Sequence, residues 1–260
     1  LREGTDGVVV GGTTGESPVL DRGELEELVR RAKAQVAGRM PVIAGSGTNG
    51  TAKSVALSRA AEAAGADALL VVTPYYNKPT QEGLYRHFKA VAEAVDIPQI
   101  LYNVPGRTAC DLSNDTVLRL AQIPNIIGIK DARGNLERGT DLILRAPAGF
   151  ALYSGDDASA LAFMLLGGHG VISVTANAAP RKMHEMCVAA FRGDLPAALA
   201  INAKLFGLHQ KLFVEANPIP VKWVVAQLGL IGNGIRLPLT PLSTAFHDTL
   251  KAAMKQAELI

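Results

Sequence analysis

The sequence predicts an α/β fold: a TIM-type (β/α)8 barrel that lacks its first strand and most of its first helix and carries a C-terminal helical appendage. Three observations predict it. Short β-rich runs alternate with amphipathic helical stretches, the pattern of a parallel sheet with helical crossovers. Strand starts recur about every 20 to 35 residues, the repeat of a βα unit rather than of a helical solenoid. After Gly193 the strands stop while the helical pattern continues.

In chain order, the predicted strands are Gly7–Gly12, Val42–Gly47, Ala68–Pro74, Gln99–Pro105, Ile126–Ala132, Ala151–Asp157 and Gly170–Asn177. Each is a short apolar run, and the stretch after each carries helical periodicity. Those helices are expected at Arg22–Ala37, Ala52–Ala64, Gln81–Ala94, Asn114–Gln122, Leu136–Leu144, Ala158–Leu166 and Arg181–Phe191. A closed barrel needs eight units, and Leu1-Arg2-Glu3-Gly4 reads as the tail of a helix entering a strand, so the visible units are numbers two to eight. Residues 1–193 are assigned to the barrel and residues 194–260 to a helical domain, with helices at Leu195–Gln210, Pro220–Leu228 and Pro241–Ala257. A doubly wound open sheet is the alternative, although no GxGxxG fingerprint follows the first visible strand.

Composition removes several function classes. With 260 residues and 48% hydrophobic content, the chain can build one large core. Its 26 basic and 24 acidic residues give a net charge of +2 without a basic block, so neither nucleic acid nor a membrane surface is an expected partner. No apolar stretch approaches the roughly 18 residues of a membrane span, and no signal-peptide pattern opens the chain. Cys110 and Cys187 have no metal or redox spacing, so two reduced thiols in a cytoplasmic enzyme are expected.

Lys130 closes the apolar run Ile126-Ile127-Gly128-Ile129. A run that apolar reads as a strand buried on both faces, where an ammonium group is rare. Burial disfavours the charged form, so this amine is expected to shed its proton more readily than a solvated lysine of pKa about 10.4. A neutral amine is a nucleophile, and in an enclosed pocket its natural reaction is imine formation with a keto acid or aldehyde. A strand-end lysine snorkelling into solvent fits the segment equally well.

In a barrel, chemistry belongs at the C-terminal strand ends. These supply Thr13-Thr14-Gly15-Glu16, Tyr75-Tyr76-Asn77, Tyr102-Asn103 with Arg107, Lys130-Asp131, Gly155-Asp156-Asp157 and Thr175-Ala176-Asn177. A lysine, a tyrosine able to move protons, two threonines and an arginine make a sufficient kit for Schiff-base chemistry. Each has a structural reading as well. Tyr102 alone would be a core tyrosine, Arg107 a surface residue beside the Val104-Pro105-Gly106 turn, and Thr13–Glu16 a helix cap with a capping-box glutamate. Gly167-Gly168-His169-Gly170 precedes its strand and reads as a turn, and Cys110 is either accessible near the rim or, as a free cysteine usually is, a small buried apolar residue.

The segments Gly12-Thr13-Thr14-Gly15-Glu16-Ser17, Pro74-Tyr75-Tyr76-Asn77-Lys78-Pro79, Leu101-Tyr102-Asn103-Val104-Pro105-Gly106-Arg107 and Gly128-Ile129-Lys130-Asp131-Ala132 together resemble the dihydrodipicolinate synthase family. The likeness extends through Ser154-Gly155-Asp156-Asp157-Ala158 and Gly170-Val171-Ile172-Ser173-Val174-Thr175-Ala176-Asn177. It implies a lyase of lysine and diaminopimelate synthesis that condenses pyruvate with L-aspartate 4-semialdehyde to 4-hydroxy-tetrahydrodipicolinate, needing neither metal nor organic cofactor. By the same resemblance Lys130 carries the pyruvate imine and Tyr102 transfers protons through Thr13 to Tyr76, which a neighbouring subunit contributes. Thr13 and Thr14 hold the pyruvate carboxylate, Arg107 receives the carboxylate of the aldehyde, and Gly155 and Ile172 join the substrate-binding set. The implied assembly is a homotetramer built from two dimers.

Two neighbours of this reading share the lysine and tyrosine: other pyruvate-dependent aldolases, such as N-acetylneuraminate lyase or keto-deoxy-sugar aldolases, and a barrel whose site is inactive. Arg107 and Tyr75-Tyr76-Asn77-Lys78-Pro79 favour the synthase over a sugar aldolase. One departure concerns regulation. Feedback-inhibited synthases bind lysine at the subunit interface through histidines and an acid, where this chain has Arg22-Gly23-Glu24-Leu25 and Asn49-Gly50-Thr51-Ala52-Lys53. Tyr75, Ser17 and Asn49 remain, but Lys53 would face the effector's ammonium group with a like charge, a repulsion of roughly 4 kcal/mol at 4 Å and an effective dielectric of 20. Inhibition by L-lysine is therefore expected to be weak or absent in a titration of the initial rate.

Overall fold

The computed structural model describes residues 1–260. Seven strands form one parallel sheet in the order β1 to β7: β1 (Val8–Val10), β2 (Val42–Gly45), β3 (Ala68–Val72), β4 (Gln99–Asn103), β5 (Ile126–Asp131), β6 (Ala151–Ser154) and β7 (Gly170–Val171). The sheet curls into a seven-stranded barrel wall of which β1 and β7 are the edges. The connecting helices are α1 (Arg22–Val36), α2 (Thr51–Ala63), α3 (Gln81–Ala92), α4 (Pro105–Thr108), α5 (Asn114–Leu120), α6 (Leu136–Arg145), α7 (Asp157–Leu165) and α8 (Pro180–Phe191). Then come α9 (Leu195–Lys211), α10 (Ile219–Gln227) and α11 (His247–Gln256).

Local chemistry starts these helices. Asp21, Thr80, Ser113, Asn135, Asp156 and Asp194 each accept a hydrogen bond from a backbone N–H in the first turn of the helix that follows. Each such cap contributes about 1 kcal/mol and fixes where its helix starts.

Strand side chains alternate between two cores. Leu69, Val71, Leu101 and Ile129 face the helices and pack with Leu84, Phe88, Leu112 and Leu120. Leu70, Ile100 and Tyr102 face the barrel interior with Val9, Ile43, Tyr153 and Ile172. Lys130 shares the interior parity, because it pairs in register with Tyr102 on one side and Tyr153 on the other. A further apolar core joins Leu161, Met164, Met183 and Met186 of α7 and α8 to Leu205 and Leu208 of α9, Val221 and Val224 of α10, and Leu250 and Met254 of α11. The last three helices thus pack onto the side of the wall where the rim loops of β6 and β7 emerge.

Five expectations need correction. The run Gly170–Asn177 is strand only over Gly170–Val171, and Thr175–Asn177 forms a 3-10 turn. The Asp157 carboxylate accepts the N–H groups of both Val174 and Thr175 at 2.9 Å, which bends the backbone out of the sheet. Thr13–Glu16 is not a helix cap but a 3-10 turn ending in left-handed Glu16 (φ 61°), and the capping box forms instead between Asp21 and Glu24. Pro105 starts a single helical turn, α4, where a Pro-Gly turn was expected. The last helix begins at His247 rather than Pro241, after a 3-10 turn over Thr244–Phe246. The strand around Lys130 is not buried on both faces, since Ile127 is 37% exposed.

His87 on α3 is buried against α2, with Nδ1 3.0 Å from Thr51 Oγ1. Burial pushes its pKa down to about 4. The unfolded chain binds this proton below about 6.5, the folded chain only below about 4, so this group's stability contribution is full above 6.5 and is lost as pH falls towards 4. The expected loss approaches 3 kcal/mol. In urea unfolding at pH 7 and pH 4.5, His87→Gln should show a visibly smaller pH dependence than the parent; an unchanged slope would refute the assignment.

Candidate active site

The curled sheet surrounds a cavity of about 850 Å³ that runs from the N-terminal strand ends at Gly7 and Pro41, past α8, to the C-terminal rim. Thr13, Thr14, Tyr102, Arg107, Lys130, Gly155 and Ile172 all line it, so seven of the eight residues singled out in the sequence meet there. The eighth does not. Tyr76 is 86% exposed, and its left-handed backbone (φ 76°) is held by a bond from its N–H to the Thr108 carbonyl at 3.3 Å. Left-handed geometry at a non-glycine residue costs about 1–2 kcal/mol, and Lys78 two residues on also has it (φ 46°). The segment therefore spends folding energy to present a tyrosine outward.

Lys130 is the penultimate residue of β5 and lies half-buried, with Nζ 4.5 Å from the centre of the Tyr102 ring. Tyr102 itself is buried. The ammonium faces the negative π surface of the ring, which holds the flexible lysine inside the barrel. Full enclosure, on which the argument for a neutral amine rested, is not what the fold supplies. Gly155 makes room for the lysine stem: a Cβ at that position would lie 2.8 Å from Lys130 Cε and 2.7 Å from Ala132 Cβ.

The loop after β1 is anchored from the far end of the chain. Lys222 of α10 pairs with the Glu16 carboxylate, whose other oxygen accepts the Arg236 N–H at 2.8 Å. Burial works upward on the Glu16 carboxyl, but these donors outweigh it and hold its pKa below the usual range. Arg236 also grips Glu24 through both oxygens, at 2.5 and 2.7 Å. The turn carrying Thr13 and Thr14 is thereby clamped between α1 and the C-terminal segment.

Asn217, which the sequence reading passed over, completes the rim. It is buried, its Nδ2 donates to Thr14 Oγ1 at 3.1 Å, and its backbone oxygen accepts from Arg107 Nη1 at 3.4 Å. The threonine loop and the arginine are thus connected through one residue of the α9–α10 loop. Arg107 is otherwise exposed at the mouth, its remaining donors free for an anion. Cys110 is buried, in line with its reading as a small apolar residue rather than an accessible thiol, and burial, with the Asp111 carboxylate beside it, pushes its thiol pKa up. No group of three or more His, Cys, Asp or Glu residues is placed to hold a metal ion.

An inward-facing amine beside a tyrosine ring, with paired threonines at a turn, can support addition to a small keto acid, and the arginine at the mouth can receive a further anion. The model of the dihydrodipicolinate synthetase family matches residues 1–257. A 4-hydroxy-tetrahydrodipicolinate synthase of Nitrosospira multiformis is 70% identical over 257 residues, covering 99% of this chain and 86% of that protein. One from Thiobacillus denitrificans is 65% identical over 260 residues, covering 100% of this chain and 88% of its own length. Among solved structures, the chloride-inhibited dihydrodipicolinate synthase of Acinetobacter baumannii, complexed with pyruvate, superposes with a TM-score of 0.97 at 53% identity, covering 100% of this chain and 89% of that one. The enzyme from Aquifex aeolicus gives 0.96 at 45% identity, with 99% and 88% covered. With the family model matched over nearly its whole length and with fold and high sequence identity in common with these proteins, the chain belongs to the dihydrodipicolinate synthetase family.

Proposed function

We propose that the chain condenses pyruvate with L-aspartate 4-semialdehyde to 4-hydroxy-tetrahydrodipicolinate through an imine on Lys130, in the cytoplasmic synthesis of diaminopimelate and lysine. The observation that carries this reading is the Lys130–Tyr102 pair, a primary amine and a phenol on adjacent strands that face one cavity. The Lys130 amine adds to the keto carbon of pyruvate and water leaves, giving the imine. The imine withdraws electrons from the methyl carbon, whose proton passes towards Tyr102, and an enamine results. Its carbon attacks the aldehyde carbon, whose oxygen takes up a proton. The amino group of the second substrate then displaces Lys130 and closes the ring. Thr13 and Thr14 hold the pyruvate carboxylate, while Gly155 and Ile172 shape the floor beneath it. The chemistry draws on no metal or organic cofactor.

Assembly belongs to the same reading. Tyr76 faces outward, so it serves the site of a neighbouring copy, in a dimer that pairs again into a tetramer. The barrel, residues 1–193, supplies the chemistry, and the helical domain, residues 194–260, braces its mouth through Asn217, Lys222 and Arg236. No helix is long and apolar enough to cross a membrane.

The reading is tested with the second substrate. Arg107→Ala should lower kcat/KM for aspartate semialdehyde by about 10- to 150-fold, the equivalent of one charge-assisted contact worth roughly 1.5–3 kcal/mol. Borohydride trapping of the pyruvate imine should stay near the parent level. Unchanged kinetics with the aldehyde would remove Arg107 from the site, and efficient cleavage of N-acetylneuraminate by the parent would move the chain to the sugar aldolases.

A further inference from the structure

Each reacting residue has a strand neighbour facing the other way. Behind Tyr102 stands Asn103 and behind Lys130 stands Asp131, and these two are paired one rung beyond Tyr102 and Lys130. The ladder ends there. Its last backbone bonds run from Ala132 N–H to the Asn103 carbonyl at 2.9 Å and from Gly155 N–H to the Asp131 carbonyl at 2.8 Å.

Side chains take over where the ladder stops. Asn103 is fully buried; its Nδ2 donates to Asp111 Oδ1 at 2.9 Å and its Oδ1 accepts the Leu112 N–H at 3.0 Å. On the β5 side, Asp131 Oδ2 accepts from Arg138 Nε at 2.7 Å. The same guanidinium donates through Nη2 to the Leu112 carbonyl, and its Nη1 lies 3.9 Å from Asp111 Oδ2. A closed ring of contacts, from Asn103 through the Asp111–Leu112 segment to Arg138 and Asp131, therefore ties the ends of β4 and β5 together behind the site. The Arg138 and Asp131 side chains are 12% and 16% exposed, and a pair that dry is held firmly, because losing one partner strands the other charge.

We propose that Arg138 is a positioning residue of the reaction: by joining Asp131, behind Lys130, to the segment that braces Asn103, behind Tyr102, it fixes the tyrosine hydroxyl relative to the carbon acid of the Lys130 imine. This rests on the roles proposed for Lys130 and Tyr102. The two steps differ in their sensitivity to the backbone. A lysine amine on four rotatable carbons reaches a keto carbon from a range of backbone positions, whereas a rigid phenol transfers a proton only when its oxygen is in line, and a displacement of about 1 Å costs about 100-fold. Loosening the ring of contacts should therefore spare imine formation and slow the proton transfer.

Pyruvate alone separates the steps. Parent, Arg138→Gln and Arg138→Lys are compared for borohydride-trapped imine on Lys130 and for exchange of the pyruvate methyl protons with deuterated water. For Arg138→Gln the trapped fraction should stay within about 3-fold of the parent while exchange falls by about 30-fold or more; Arg138→Lys, which can reach Asp131 but not fork to Leu112, should recover part of the exchange. Should Arg138→Gln fail to fold, Asp111→Asn weakens the same ring from the β4 side and must show the same split. Exchange at the parent rate, or exchange and trapping falling together with the folded fraction, would overturn the proposal. A parent that traps no pyruvate on Lys130 would overturn the reading on which it rests.

Discussion

Lys130→Ala is expected to abolish borohydride trapping of pyruvate and to lower turnover on the order of 10³-fold or more, because it removes the atom that forms the covalent bond to substrate. The informative companion is Lys130→Arg. A guanidinium keeps the positive charge and can still lie over the Tyr102 ring, where Nζ now sits 4.5 Å from its centre, but it does not lose a proton to become an imine-forming amine. If Lys130 served only to fill the rim and satisfy the aromatic face, Arg would rescue the alanine variant. If it is the nucleophile, both variants are equally inactive while retaining the parent's melting temperature. Pyruvate attached to any other lysine after reduction, seen by peptide mass, would refute the assignment outright.

The parts of this fold that could be read from sequence are those set by neighbours along the chain. Short apolar runs between helical stretches located every strand, and the C-terminal ends of those strands put Lys130 and Tyr102 on one rim; that the two share a face came from the register of β4 and β5. What escaped depends on partners far away in sequence. The expected last strand shortens to two residues because the carboxylate of Asp157, 17 residues before Val174, captures the N–H groups of Val174 and Thr175. Asn217 reaches Thr14 across 203 positions and Arg107 across 110, and nothing in Ala216-Asn217-Pro218 signals either contact. Ile127 looked like core and is exposed, since composition reports how apolar a run is but not what covers it. Tyr76 is different again: its role was carried by resemblance alone, and a single chain does not bring it to the cavity.

That separation makes Tyr76 the residue whose test is also a test of assembly. Tyr76→Phe removes one hydroxyl from a side chain that makes no claim on its own chain's core, so the variant should fold as the parent does while turnover falls about 10²-fold or more, the scale of a lost proton-transfer group. Mixed with Lys130→Ala, which is inactive for a different reason, activity should return. In a mixed dimer the subunit carrying Tyr76→Phe keeps its own Lys130 and borrows an intact Tyr76 from its partner, so one site of two works. With random exchange of subunits half the dimers are mixed, and about a quarter of parental sites should be restored. The outward aim of the side chain and the left-handed backbone that enforces it are what such borrowing needs. Restoration should appear only after the subunits have been allowed to dissociate and re-pair, and should vanish when each variant is mixed with itself. A mixture that stays at background after demonstrated subunit exchange, or a parent fully active as a monomer in sedimentation, would return Tyr76 to its own surface and leave proton transfer to Tyr102 and Thr13 alone.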